Sequence, residues 1–253
     1  MVFFLRILPY LAGSWLAAGD LLAVTHPDRF WWFAIAAIVG PVLSLWLITR
    51  GGKLPRGFGS IYFFPVFTLV PAMGALLFSE HAQVQIAFAI GSALVMFVFL
   101  EQAFRFRYQP ARYAPNALVN LSYIFAIVGM FFAGLTLFDL QVFANLPLWV
   151  VTSIFFVLVL VWFVGLHALA PLERRRAQWW GVGIVIVMTE MFALFAWLPA
   201  IPLAKAGMFG LLVTYVVQQY RSDALTDKTT QRWAFVLLFV MLLLLVATTH
   251  WFA

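Results

Sequence analysis

Of the nine acidic residues in this 253-residue chain, Glu190 stands where a carboxyl is most costly. Val187, Met188 and Thr189 precede it, and Met191 and Phe192 follow. On insertion scales an acidic group at the centre of a lipid-spanning helix costs about 2.5–3.5 kcal/mol, so it usually faces the protein interior. Two roles fit a carboxyl enclosed in that way. It can bind a proton or a cation, or it can hydrogen-bond a neighbouring helix without further function. No basic residue occurs at a matching depth in any apolar run, so an ion pair is not expected there.

A second set of polar residues gathers at the ends of apolar runs. Glu101, Gln102 and Arg105 close one run, and Asn116, Asn120 and Ser122 open the next. His167 closes another, and Thr214, Gln218 and Gln219 close a fourth. Glu101 and Arg105 are four residues apart, share one helix face and can pair. The plainer account of the set is helix ends reaching the interface with hydrogen bonds between helices. The functional account is a polar vestibule open to the cytoplasm or the inner leaflet. Arg107, Arg112, Arg174, Arg175 and Arg176 are candidates to hold anionic lipid headgroups, although membrane topology alone also explains them.

Catalytic chemistry has little to draw on. There are no cysteines, which removes thiol catalysis and cysteine-held metals. His26, His81, His167 and His250 are scattered and do not make a metal-ligand set. No Walker A loop, HExxH or GxSxG is present. Asp223 and Asp227 read as solvated loop charges. No catalytic residue, metal or cofactor is therefore expected, and enzymatic activity is not expected.

The elements that must position these residues are helices in a bilayer. The chain is 65% hydrophobic and 9% charged, with mean hydropathy +1.03. A soluble fold could not hide that much apolar surface. Nine runs reach the length a membrane helix needs, at roughly 3–24, 31–49, 58–79, 83–104, 117–137, 147–169, 179–198, 202–220 and 233–252. The expected fold is an all-α, polytopic helical membrane protein, arranged as one integral membrane domain over residues 1–253.

All basic residues except Arg29 and Lys205 fall at the start of the first run or in the loops after even-numbered runs. The positive-inside rule then places the N-terminus in the cytoplasm and the C-terminus outside, in a cytoplasmic (inner) membrane. Asp28, Glu80 and Asp139 fall in the outer loops, with Asp20 near the outer interface. A net charge of +6 would suggest nucleic acid in a soluble protein; here it sets topology, and nucleic acid is not an expected partner. Membrane lipids and other membrane subunits are.

Two features bear on function. Pro41 falls inside the second run, and Pro65 and Pro71 are expected to interrupt the third. The first four runs also overlay the next four at an offset of about 116 residues, which would make a parallel 4+4 repeat with one helix added. These features favour a transporter or permease for a small or lipidic substrate. The alternative is a non-catalytic scaffold or accessory subunit of a larger membrane complex. A lipid-acting membrane enzyme is the third reading.

Overall fold

The computed structural model describes residues 2–50, 58–79, 81–114, 116–169 and 174–222. These form eight α-helices: α1 Val2–Thr25, α2 Phe30–Thr49, α3 Phe58–Leu77, α4 Ala82–Tyr108, α5 Ala117–Phe143, α6 Leu148–Leu169, α7 Arg174–Trp197 and α8 Pro202–Ser222. Short 3-10 turns, Pro27–Arg29 and Pro110–Arg112, lead into α2 and follow α4. No strand occurs among the described residues. The ninth expected helix, 233–252, lies outside them.

Among the described residues, five helical segments are long and apolar enough to cross a membrane: Leu5–Thr25, Pro27–Thr49, Ala82–Tyr108, Ala117–Phe143 and Leu148–Leu169. The apolar stretches Ile61–Leu77, Gly181–Trp197 and Pro202–Gln218 are shorter. An α-helix satisfies its backbone N–H and C=O groups internally, which suits apolar runs of this length to an environment without water.

Contacts divide the chain into two compact units, residues 1–124 and 125–253. In the first, α1 packs chiefly on α2 and α4. Small residues permit this. A Cβ built on Gly19 would lie 2.5 Å from the Ala37 side chain of α2, and one on Gly13 would lie 3.3 Å from the Ala93 carbonyl of α4. Helices that cannot gain from a hydrophobic effect in lipid associate through such close backbone approach. The Trp15 indole N–H donates to the Ala36 carbonyl at 2.7 Å and ties α1 to α2.

The second unit is centred on phenylalanine rings. Phe192 of α7 stacks between Phe138 of α5 and Phe155 of α6, at centroid distances of 4.6 and 4.0 Å. Phe209 of α8 meets Phe155 edge-on at 5.0 Å. The buried Trp162 indole of α6 donates to the Ala126 carbonyl of α5 at 3.0 Å.

Among the described residues, the internal prolines leave their helices continuous. α2 runs through Pro41, and α3 runs through both Pro65 and Pro71. Pro65 has no N–H to offer the Ile61 carbonyl four residues earlier. The buried Ser122 hydroxyl of α5 lies 3.0 Å from that carbonyl and 2.8 Å from the Leu118 carbonyl of its own helix, so its single hydrogen is shared between the two. A side-chain donor near the carbonyl that lacks a backbone donor offsets part of the cost of an internal proline. The expected interruption of helix three is thus replaced by a continuous helix.

α5 also extends further than its apolar run suggests, to Phe143. Asp139, expected in an outer loop, is therefore a helical residue, and it is buried.

Candidate functional site

Among the described residues, three acidic or basic side chains are buried inside apolar helices: Asp20, Asp139 and Lys205. Each sits within a turn or two of a helix end, where sequence alone places a charge at the interface.

Asp20 is the most enclosed, with 0% exposure. It lies one turn before the end of α1, on the side that meets α4. The Ser92 hydroxyl donates to its Oδ2 at 2.9 Å. Its Oδ1 is also buried and has no hydrogen-bond partner among the described residues. A buried carboxyl oxygen without a donor is an expensive arrangement unless the group has work to do. The reading of Asp20 as a residue reaching the interface is corrected. Gly19 beside it draws α1 so close to α2 that the adjacent carboxyl is sealed between helices.

Lys205 has a structural explanation. Its Nζ donates to the Ala196 carbonyl at 3.3 Å. Ala196 belongs to the last turn of α7, whose carbonyls lack helical N–H partners. The ammonium also lies 5.7 Å from the centre of the Phe138 ring. A cation at a helix C-terminus and over an aromatic face is favourable on both counts. The buried Asp139 follows Phe138 on α5.

Glu190 departs from expectation. It lies on the exposed side of α7, together with Val187 and Leu194. The opposite side, with Val185, Met188, Phe192 and Phe195, is buried. The aromatic stack on Phe192 sets this rotation of the helix. Two residues earlier, position 190 points roughly the other way, because residues two apart do not share a helix face.

The polar residues expected at the inner helix ends divide between the two units. In the first, Arg105 Nε donates to Glu101 Oε1 at 2.8 Å. Glu101 Oε2 and Gln102 Oε1 are buried without partners among the described residues. Asn120 is half-buried, and Asn116 is exposed. Asn116 has φ 61°, a left-handed conformation that asparagine tolerates better than most residues. There it starts α5, while the Tyr113 hydroxyl accepts the Leu118 N–H at 3.1 Å. In the second unit His167 is half-buried, with a buried and unpartnered Nδ1, and Gln218 is exposed. The Gln219 side chain lies outside the described residues.

Among the arginines, Arg107 is half-buried at the end of α4, and Arg112 is exposed in the following turn. Arg174, Arg175 and Arg176 form the first turn of α7, and their side chains lie outside the described residues. Among the described residues, no three His, Asp or Glu side chains come together as a metal-holding group.

No family model matches the chain, and neither does any curated protein or solved structure.

The arrangement can therefore be read only from its own chemistry. Asp20 with Ser92 is the one place among the described residues where a fully buried carboxyl is held by a single hydroxyl, with its second oxygen left open. Such a group can take and give up a proton. The sequence signal that could have found it is the pair Gly19-Asp20, a residue for close packing followed by an acid.

Proposed function

We propose that this chain is a membrane transporter or permease for a small or lipidic substrate, with Asp20 as the group that accepts and releases a proton during the cycle. The observation that carries the reading is the sealed Asp20 carboxyl, bonded to Ser92 through Oδ2 and unpartnered at Oδ1. An ionisable residue inside a membrane helix is a marker of proton or ion pathways.

Further support comes from the polar end of α4. The buried, unpartnered Glu101 Oε2 and Gln102 Oε1 suit a vestibule of the kind expected there. The division of the chain near residue 124, within the first turns of α5, lies close to the boundary of the proposed parallel four-helix repeat, and a ninth helix completes the proposed topology. The arginine-bearing loops face the cytoplasm in this reading, and the membrane is an inner membrane. Arg107, Arg112 and the Arg174–Arg176 run then meet lipid headgroups. Arg50 lies 4.8 Å over the Trp46 ring at the same end of α2, a pairing suited to an interface.

Proteoliposomes adsorbed on a solid-supported membrane test the proposal. A pH step should produce a transient charge displacement in the wild-type protein. Asp20→Asn should remove it, while the protein remains folded and monodisperse. A wild-type protein silent under pH steps in both directions, or an Asp20→Asn variant as active as wild type, would refute the proton-carrying role.

The accessory-subunit reading is favoured by one observation, the exposed apolar face of α7 that carries Glu190. A subunit that acts only in a complex would be silent in the same assay and would retain a partner on mild extraction.

A further inference from the structure

The hydroxyl that meets Asp20 has a second place to put its hydrogen. Ser92 Oγ lies 2.9 Å from Asp20 Oδ2 and 3.1 Å from the Ala89 carbonyl of its own helix. A serine hydroxyl has one hydrogen to donate and two lone pairs to accept with, and it rotates to suit its neighbours. The Ala89 carbonyl has two lone pairs as well, so the helical N–H of residue 93 leaves room for the hydroxyl.

We infer that Ser92 is a positioning residue for the proton step, a rotor that satisfies Asp20 in both of its protonation states without moving a heavy atom. The inference rests on the reading of Asp20 as a proton carrier and names the group that holds it.

When Asp20 is ionised, the serine hydrogen points at Oδ2 and makes one charge-assisted bond. When water delivers a proton, the new O–H bond forms at Oδ2, because Oδ1 has no acceptor beside it among the described residues. That O–H donates to Ser92 Oγ, and the serine hydrogen turns to the Ala89 carbonyl. The serine keeps its own hydrogen throughout, and only Asp20 gains or loses one. Oδ1 is then a neutral carbonyl oxygen, which costs less to leave unpartnered than a charged one.

The magnitudes balance. A hydrogen bond to an ionised group is roughly twice as strong as a neutral one. The ionised state has one bond of the first kind and the acid state has two of the second, so the serine supports both about equally. A hydroxyl fixed on Oδ2 would support the ionised state alone.

Among the described residues, the helices packed on this part of α1 bring no other charge to the carboxyl. On α1 the nearest ionisable residue in sequence is the exposed His26. The Asp28–Arg29 pair before α2 and His81 before α4 are exposed too, and Glu101 of α4 is taken up by Arg105. Each lies roughly 9 Å or more along the chain from Asp20, Ala37 or Ser92, at 1.5 Å per helical residue. α3 carries only Tyr62, which meets Phe99 of α4.

Infrared difference spectra of the full chain in mixed micelles test the rotor. They follow the carboxylic C=O band of Asp20 with pH, identified by its loss in Asp20→Asn. In Ser92→Ala both supports are gone, so the proton affinity of Asp20 should stay within about threefold of wild type. Resistance to a denaturing detergent should fall by the same factor on both sides of the titration. Ser92→Thr, whose hydroxyl can also bond the carbonyl three or four residues earlier, should recover most of that loss on both sides.

A loss confined to one side, with proton affinity changed by about tenfold or more, means a hydroxyl fixed in one orientation and overturns the rotor. A Ser92→Ala protein as resistant as wild type at both extremes of pH overturns it as well, and so does an Asp20 band that never appears. None of these readouts requires transport. A rotor upheld in a protein silent to pH steps would sink the transport reading alone. A rotor overturned in a protein that still displaces charge through Asp20 would leave that reading standing.

Discussion

The Ser92 hydroxyl of α4 donates to Asp20 Oδ2 of α1 at 2.9 Å, so the only described partner of the most buried acid among the described residues comes from another helix. Ser92→Ala should leave the carboxyl without that partner and destabilise the first unit. Hydrogen bonds between membrane helices contribute about 0.6 kcal/mol on average and up to about 1.7 kcal/mol, and this enclosed pair belongs near the upper figure. Unfolding titrated with a denaturing detergent in mixed micelles measures it. In a double-mutant cycle with Asp20→Asn, the two substitutions should be strongly non-additive. Additive effects would mean that the pair does not interact.

Ser122 and Pro65 form a linked device. The serine hydroxyl shares its hydrogen between the Leu118 carbonyl and the Ile61 carbonyl that proline leaves without a helical donor. In wild type, Ser122→Ala should cost about 1 kcal/mol. In a Pro65→Ala background the new backbone N–H at 65 can bond Ile61, and the same Ser122→Ala change should cost clearly less. Equal costs in both backgrounds would show that the serine does not stand in for the missing N–H.

Two glycines should respond in opposite directions. Gly19 has the Ala37 side chain and backbone in its way, so Gly19→Ala should push α1 off α2. It should destabilise by about 1–3 kcal/mol, the usual range for overpacking. Gly207 of α8 has open space around it, and Gly207→Ala should be neutral or stabilising by up to about 1 kcal/mol through helix propensity. Thermal unfolding of the two variants side by side checks the contrast.

Lys205 should be replaceable by a cation and by little else. Lys205→Met removes both the bond to the Ala196 carbonyl and the charge over Phe138. A loss of about 2 kcal/mol is expected, the upper range for a partly buried cation at a helix C-terminus. Lys205→Arg should retain most of that stability. If Lys205→Met is as stable as wild type but inactive in the pH-step assay, the lysine serves function rather than the end of α7.

Much of the frame was readable without coordinates. Continuous apolar runs far longer than a strand crossing permit only helices in lipid, and all eight described helices fall where such runs predict them. Their ends were less readable. α5 carries Asp139 inside its last turns, because a helix in a bilayer continues until its terminal carbonyls reach water or a cap, not until the first charged residue. The pairing of Glu101 with Arg105 was also readable, since four residues bring two side chains onto one face.

Burial was not readable, and burial decides the candidate site. Helices apolar on every side carry almost no amphipathic signal, so composition cannot tell which side meets a neighbour. The sequence by itself determined that this is an all-helical, membrane-compatible chain with very few polar groups for chemistry. Only the tertiary structure decided which of them are enclosed. Gly19 brings α1 against α2 and seals Asp20, while the Phe138–Phe155–Phe192 stack rotates α7 and turns Glu190 outward. The physical reason is that the rotation of an all-apolar helix is set by where its small and aromatic residues fit a neighbour, and that information lies in pairs of helices rather than in any one of them.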